Sequence, residues 1–257
     1  MTKLIKLDKD SQVKVTGKAL EYLAPDYVYI PLPKRKEDLK KETNIKMASV
    51  LYNDVYAPVS GKLVKLETCS LPSGKKVKCL GILNDFQEKS EKTLATRKKI
   101  NNLTFKEIID SIYSTKIKEK FQKEFLSTFL ISGIDDEPYI ENEVFLQRTQ
   151  TKPIIDILDT LLNLYPNSKA YIALKNTDSE TILAYQNLIG MYSNIEIKLV
   201  NDLFLIGKEP FLTKYLHLKN NYIYFKASEL FEMYINVKKR KPLLEKYITV
   251  SGNGLQN

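Results

Sequence analysis

The chain has 257 residues, of which 43% are hydrophobic and 10% aromatic, so it is long enough to bury one large core or two to three small ones. Its net charge is +9, from 40 Lys and Arg against 31 Asp and Glu. No stretch approaches the roughly 18 apolar residues of a membrane span, and the first residues lack the apolar core of a signal peptide. We therefore expect a soluble cytoplasmic protein.

The basic excess lies entirely in the first half of the chain. Residues 1–125 carry 26 Lys and Arg against 16 Asp and Glu, whereas residues 126–257 carry 14 against 15. This asymmetry favours an acidic protein or an anionic membrane surface as a partner, with the chain at the inner face of that membrane. The alternative is a solvated, lysine-rich surface. No basic run has the interleaved aromatics and glycines of a nucleic-acid module, so nucleic acid is not expected as a partner.

The chain has only two cysteines, Cys69 and Cys79, and one histidine, His217. Two thiols are too few for an iron–sulfur cluster, which takes four ligands. A single histidine excludes the usual structural zinc sets and argues against a His-based catalytic triad. No metal site is predicted. The two cysteines flank a predicted hairpin turn, and in a cytoplasmic protein free core thiols are expected rather than a disulfide.

Residues 1–95 predict a compact, mostly β domain. Residues 27–30 alternate in polarity and are rich in β-formers, and residues 50–56 read as a further strand. Residues 63–68 and 77–83 are predicted to form a hairpin around a Pro-Ser-Gly turn.

Residues 96–225 predict a domain in which strands and helices alternate. Apolar residues within 93–123 recur at helical spacing. The elements expected after them are a strand at 127–132, a helix from Pro153, a strand at 170–174, a helix capped by Asp178 and a strand at 195–200. This order predicts a parallel sheet with crossover helices. Residues 226–257 predict a helix at 228–237, a basic run at 238–241 and a strand at 247–250.

An acidic stretch follows the first strand of the predicted parallel sheet. Its carboxylates are Asp135, Asp136, Glu137, Glu141 and Glu143. Ligands of α/β proteins bind at the carboxyl ends of such strands, so the stretch is a candidate site. The alternative is a solvated acidic turn.

Four stretches resemble, in the same order, the RnfC subunit of ion-pumping electron-transport complexes, a relative of the flavin-bearing subunit of complex I. They are residues 28–66, 132–147, 202–216 and 227–257. The resemblance implies an α/β protein with three parts. These are an N-terminal barrel-sandwich-like β domain at 1–95, a central Rossmann-like domain with a flavin site at 96–225, and an incomplete β-grasp (SLBB-like) segment at 226–257.

The resemblance also implies which residues contact the cofactor, FMN, and these are Ser132, Gly133, Asp135 and Glu137. The family's glycine-rich flavin loop would lie at residues 114–125, where this chain has no glycine. Bulky side chains prevent the close backbone approach that such a loop provides. The cysteine-rich region for iron–sulfur clusters is also absent. The remaining route to phosphate binding is through the lysines of that stretch, namely Lys116, Lys118 and Lys120.

Three functions follow as hypotheses. The first in rank is a degenerate RnfC-like subunit with a docking or assembly role among other electron-transport subunits, because the missing loop is a physical obstacle to flavin. The second is a flavin-binding, NADH-linked subunit that passes electrons to partner proteins. A distant third is a biotinyl- or lipoyl-type carrier, which the string APVSGKLVKL resembles, although Lys46 stands at the wrong distance to accept a prosthetic group.

Overall fold

The protein is a mixed α/β structure whose contacts divide it into two compact units, one within Leu20–Leu94 and a larger one that contains Ala95–Asn257. The computed structural model describes residues 24–32, 43–71, 73–91, 103–122, 127–137, 139–219 and 221–250. Residues 1–23 and residues 251–257, the last part of the stretch for which an SLBB-like segment is predicted, therefore lie outside the described residues. Each unit is described by itself.

The smaller unit is a curled antiparallel sheet of four strands in the order β1-β6-β5-β2, with a separate two-stranded ribbon, β3-β4. The strands are β1 (Tyr27–Pro31), β2 (Asn44–Ile45), β3 (Val50–Tyr52), β4 (Val55–Tyr56), β5 (Gly61–Ser70) and β6 (Lys76–Asn84). One face of the sheet buries the aliphatic core of this unit, which includes Ile30, Leu63, Leu80 and Ile82.

The predicted hairpin is confirmed as β5 and β6, which pair antiparallel over nine positions from Gly61↔Asn84 to Ser70↔Lys76. The register places Cys69 opposite Val77 and Cys79 opposite Glu67, so the cysteines lie two positions apart on one face. Both thiols are free, and Cys79 is buried. The single strand expected at residues 50–56 is wrong, because Asn53 adopts a left-handed conformation (φ 43°) and turns the chain between β3 and β4.

The larger unit contains a parallel sheet of four strands in the order β10-β7-β8-β9. The strands are β7 (Thr128–Ser132), β8 (Lys169–Lys175), β9 (Ile195–Val200) and β10 (Tyr222–Lys226). The helices are α1 (Phe105–Ser111), α2 (Thr115–Glu119), α3 (Asn142–Thr149), α4 (Thr151–Leu164), α5 (Ser179–Ile189), α6 (Glu209–Tyr215) and α7 (Ala227–Lys239). Within the described residues, no helix has the length and apolar character needed to cross a bilayer.

Alternating side chains give the parallel sheet two buried faces. Phe129 and Ile131 of β7 join a core formed with α4, α5 and α7, whereas Leu130, between them, joins a second core with Leu212 of α6. The period-two alternation of the strand therefore places helices against both faces. Burial on both faces explains why β7 and β8 are nearly continuous apolar runs.

The chain reverses its direction across this sheet at β7. It adds β8 and β9 on one side of β7 and then returns to place β10 on the other side. The junction between β7 and β10 is therefore the switch point, where open parallel sheets have a crevice beyond the carboxyl ends of the strands. This position is where the acidic stretch leaves β7.

The predicted strands β7, β8 and β9 are confirmed, as are α4, which has Pro153 in its first turn, and α5, which Asp178 caps. The helical spacing predicted within 93–123 corresponds, in its described part, to two helices, because α1 ends at Ser111 and Ser114 caps α2 through the N–H of Ile117. The strand expected at 247–250 is also wrong, since residues 242–250 have no regular secondary structure.

Candidate functional site at the carboxyl ends of β7 and β10

The candidate site lies at the switch point, where the ends of β7 and β10 are paired side by side. Ser132, the last residue of β7, is the register partner of Lys226, the last residue of β10. The acidic stretch begins directly after Ser132, and α7 begins directly after Lys226. The N-terminus of α7 and the acidic side chains are therefore brought together by the sheet itself.

Ser132, the first of the residues implied by the resemblance, is fully buried. Its hydroxyl donates to the carbonyl of Gly207 at 3.1 Å, and the Tyr224 hydroxyl donates to the same carbonyl at 2.7 Å. A Cβ on Gly207 would lie 2.5 Å from the Ile134 carbonyl oxygen, so the two loops are in backbone contact. Ser132 therefore holds the loop before α6 against the acidic stretch.

Gly133 is packed beneath the side chain of Gln147, which projects from α3. A Cβ at position 133 would lie 1.2 Å from Gln147 Nε2 and 2.0 Å from its Cδ. Gln147 has no exposed surface, and neither polar atom of its amide has a hydrogen-bond partner within the described structure. The space above the Gly133 backbone, which a ligand would need for a close approach, is therefore filled by this amide.

Asp135 caps helix α3 from outside the helix. Its carboxylate accepts the backbone N–H of Glu143 at 3.1 Å and that of Val144 at 3.3 Å. Glu141, the residue before the helix, makes no capping bond with its own side chain. Burial raises the pKa of Asp135, and the two donated N–H bonds lower it again in part. Asp135 thus satisfies donors that every helix N-terminus exposes.

Glu143 does for α7 what Asp135 does for α3. Its carboxylate accepts the Ser228 backbone N–H at 2.8 Å and the Ser228 hydroxyl at 2.6 Å. Burial raises the pKa of Glu143, while the bonds from Ser228 lower it. A carboxylate therefore already lies at the start of α7, where the helix dipole would attract an external anion.

The remaining acids of the stretch differ in their surroundings. Asp136 accepts a 2.6 Å hydrogen bond from the ammonium of Lys226. Burial, the largest single effect, lowers the pKa of Lys226, but this bond and the negative charges of Asp136, Glu143 and Asp135 together raise it by more, so the net shift is upward. Glu137, the fourth residue implied by the resemblance, is exposed. The structure therefore brings together Ser132, Gly133 and Asp135 and leaves Glu137 at the surface.

The segment that contains Tyr247 and Thr249 packs against the start of α3. The Thr249 hydroxyl accepts the Glu141 backbone N–H at 3.1 Å and donates to the Asn142 side-chain oxygen at 2.8 Å. The ring of Tyr247 lies 5.2 Å from that of Phe145. This segment therefore packs on the same helix end that Asp135 caps.

Residues 114–122, the described part of the segment in which the resemblance predicts the flavin loop, pack against the core of the larger unit. Ile117 and Phe121 are buried in the core of the larger unit. The Lys120 ammonium donates to Glu229 at 2.6 Å and to the Tyr224 carbonyl at 3.1 Å. Lys116 is exposed and Lys118 is half-buried. Lys120 therefore already binds a carboxylate and a carbonyl of the protein itself.

The residues present do not fit FMN. The backbone at Gly133 is covered by Gln147, and the starts of α3 and α7 are each occupied by a carboxylate of the chain. A flavin phosphate would meet those negative charges where it needs N–H donors. No group of His, Cys, Asp or Glu suited to a metal ion occurs in the described part of the chain.

The residues that sequence reasoning missed are those that close the site. Gln147 and Glu143 lie one helical turn apart on α3, and the acidic first turn of that helix is itself a helix-start signal that could have revealed it. Lys226 ends β10, whose alternating Tyr-Ile-Tyr-Phe run is the signal that would have revealed the strand. Neither a protein-family model nor a curated protein sequence matches the chain.

Proposed function

We propose that this chain is an RnfC-like protein of an electron-transport system in which the flavin site has become a structural joint. It acts as a docking or assembly subunit, in the cytoplasm and peripheral to the membrane, and its partners carry the redox groups. In this proposal the smaller unit corresponds to the barrel-sandwich-like domain, the parallel sheet to the Rossmann-like domain, and α7 with its following segment to the SLBB-like part.

The observation that carries the proposal is the closure of the switch point by the chain's own groups. Asp135 caps α3, Glu143 caps α7, and the Gln147 amide fills the space above Gly133. Each of these groups occupies a position that a bound phosphate or flavin ring would need. A joint whose helix ends are capped by the chain's own carboxylates suits a subunit that presents surfaces rather than one that performs chemistry.

The first test is FMN binding by the purified full chain. Protein purified from its own host is expected to be colourless, and calorimetric titration with FMN is expected to give no heat above dilution. The Gly190→Ala variant, altered where no neighbouring atom lies within 4 Å, serves as the matched control for handling. Stoichiometric flavin in the purified chain, or saturable FMN binding, would establish the alternative, a flavin-binding electron-transfer subunit.

The second test addresses docking. Crosslinking in the host, followed by mass spectrometry of the tagged chain, is expected to recover subunits that carry flavin or iron–sulfur clusters. Crosslinks that exclude every redox protein would contradict the electron-transport context. Intact mass of the same sample tests the carrier hypothesis, since a prosthetic group on a lysine adds a defined mass.

A further inference from the structure

The parallel sheet has two outer edge strands, and within the described structure side chains reach the outward backbone groups of only one. At β10, the carbonyl of Tyr224 accepts the Lys120 ammonium at 3.1 Å, and the N–H of Lys226 donates to Glu229 at 2.9 Å. At β9, which ends the sheet on the other side, no described strand pairs with the outer edge. An open strand edge is a template for pairing with a strand of another chain.

The ladder between β8 and β9 determines which backbone groups of β9 face outward. The carbonyls of Asn194 and Val200 accept the N–H groups of Ala170 and Asn176 at 2.8 and 2.9 Å. Because the direction of these groups alternates along a strand, the even-numbered residues of β9 bond to β8 and the odd-numbered ones point away from it. The outward-facing residues are Ile195, Ile197 and Leu199. Within the described chain, no hydrogen bond reaches their outward N–H and C=O groups.

The features that usually protect an open edge are missing from β9. Proline, a bulge or a projecting lysine serves this purpose in other proteins, but β9 has no proline and pairs with β8 in an unbroken register. Its lysine, Lys198, bonds to Glu196 at 2.7 Å and lies 4.4 Å from the centre of the Tyr171 ring in β8, so it points over its own sheet. Leu199 is 51% exposed and is the only exposed large apolar side chain in the four described strands of this sheet.

The positions of the charges on β9 favour a second copy of the same strand as the occupant of this edge. In an antiparallel pair with a two-fold axis at Ile197, Ile197 lies opposite itself, and Ile195 lies opposite Leu199 of the second copy. Every outward N–H and C=O of the two strands then has a partner. Glu196 lies opposite Lys198 of the second copy, and this happens twice, at the positions where opposing side chains are closest.

Other antiparallel registers of two β9 strands are less favourable. An axis at position 196 would place Glu196 opposite Glu196, and an axis at position 198 would place Lys198 opposite Lys198; like charges opposite each other are destabilising. An axis between two residues would place outward-facing residues opposite inward-facing ones, and no ladder would form. The 2.7 Å bond between Glu196 and Lys198 shows that both side chains lie on one face of the strand, and both are partly exposed, so each can reach a second copy.

We propose that the chain forms a two-fold symmetric dimer in which β9 of one copy pairs antiparallel with β9 of a second copy, centred on Ile197. The two parallel sheets then join into one continuous sheet. The switch point lies between β7 and β10, on the side of the sheet away from β9. The proposal therefore goes beyond the docking role and does not depend on whether FMN binds.

The first test is sedimentation velocity of the full chain over a wide range of concentration. A monomer–dimer equilibrium without larger species is expected, because an isologous contact closes on itself. Leu199→Pro removes an outward N–H from each strand and leaves the ladder with β8 intact, so it is expected to be monomeric with an unchanged circular dichroism spectrum. A wild-type chain that is monomeric at every concentration, or that forms an open-ended series of oligomers, would overturn the proposal.

Exchange of the two charges tests the register. Glu196→Lys alone and Lys198→Glu alone each place like charges opposite each other at both positions, and each is expected to weaken self-association at least about tenfold. The double variant Glu196→Lys/Lys198→Glu, which has the net charge of the wild type, is expected to dimerise as the wild type does. An equimolar mixture of the two single variants is also expected to dimerise, because every opposing pair then has opposite charges.

The matched control is Lys214→Glu, which makes the same charge change at an exposed lysine of α6 and is expected to dimerise like the wild type. Single variants that dimerise as tightly as the wild type, or a mixture that associates no better than its components, would overturn the proposed pairing. A photo-crosslinking residue at position 199 tests the occupant in the host. Crosslinks to a second copy of the chain are expected, whereas crosslinks only to a different protein would overturn the dimer and assign the edge to that partner.

Discussion

Replacing Gly133 by alanine tests whether the Gln147 amide fills the site. The new Cβ would lie 1.2 Å from Gln147 Nε2, and the fully buried amide has no solvent-facing path by which to move aside. We expect a loss of about 3 kcal/mol in the free energy of unfolding, at the upper end for overpacking in a core. The backbone is not the obstacle, because φ at Gly133 lies outside the left-handed region.

A double-mutant cycle separates this clash from other effects of the alanine. Gln147→Ala removes two buried polar atoms that lack partners, and this gain offsets part of the cavity it leaves. The double variant is expected to be about as stable as Gln147→Ala alone, with a coupling of about 2–3 kcal/mol between positions 133 and 147. Gly190→Ala is the control, since nothing lies within 4 Å of its added Cβ.

Urea unfolding followed by far-ultraviolet circular dichroism measures these differences, because every described helix belongs to the larger unit. If Gly133→Ala unfolds at the wild-type urea concentration, or if Gln147→Ala fails to rescue it, the amide does not fill this space. The switch point would then be open to a ligand, and the main objection to FMN at Gly133 would be removed.

Three further predictions concern the carboxylates of the site. Asp135→Ala is expected to cost about 1–2 kcal/mol of stability because the N–H groups at the start of α3 lose their acceptor. Asp135→Asn retains an acceptor and is expected to cost less. Urea midpoints compare the two variants, and equal losses of stability would contradict the capping role of Asp135. Burial raises the pKa values of Asp135 and Glu143 in the folded state. The contribution of these groups to stability is therefore fully present below the pKa of the unfolded chain and is lost as the pH rises through the raised pKa of the folded state. Glu143→Gln is expected to reduce this loss, and an unchanged profile of urea midpoint against pH would contradict the prediction. Lys226→Met is expected to cost about 2 kcal/mol of stability, because it leaves the Asp136 carboxylate with one buried oxygen and no cation. Asp136→Asn is expected to cost less. If Asp136→Asn cost more in the same unfolding assay, the ion pair between Lys226 and Asp136 would not be the contact that stabilises this site.

The architecture was predictable where the signal is local. The apolar run of β7 and the capping residue Asp178 each act within a few residues, and both are confirmed. Strand β10 was missed although its signal is also local, an alternating Tyr-Ile-Tyr-Phe run that follows the asparagines at 220 and 221. The strand expected at 247–250 has the composition of a strand but finds no partner in the described structure, and pairing is a tertiary property.

The roles of the acids were not predictable, for a physical reason. Asp135 and Glu137 are alike in charge and only two residues apart, yet one is the acceptor for a helix end and the other is exposed. What separates them is the position of α3, which depends on how its buried face packs rather than on the acidic stretch itself. Sequence reasoning predicted a site at the end of β7 but had no means to see that Gln147 of α3 packs against Gly133 there.

The contacts at the switch point form a chain that links three helices to the sheet. Asp135 at the end of β7 accepts from α3, and Glu143 of α3 accepts from α7. Glu229 of α7 accepts both the Lys226 backbone N–H and the Lys120 ammonium, which lies just after α2. Since each carboxylate satisfies a helix end or a cation that the next element brings, loss of one leaves a buried donor without an acceptor in its neighbour. An anion that entered this site would have to displace a carboxylate that caps a helix of the fold. The contacts that close the site are therefore the same contacts that stabilise the larger unit.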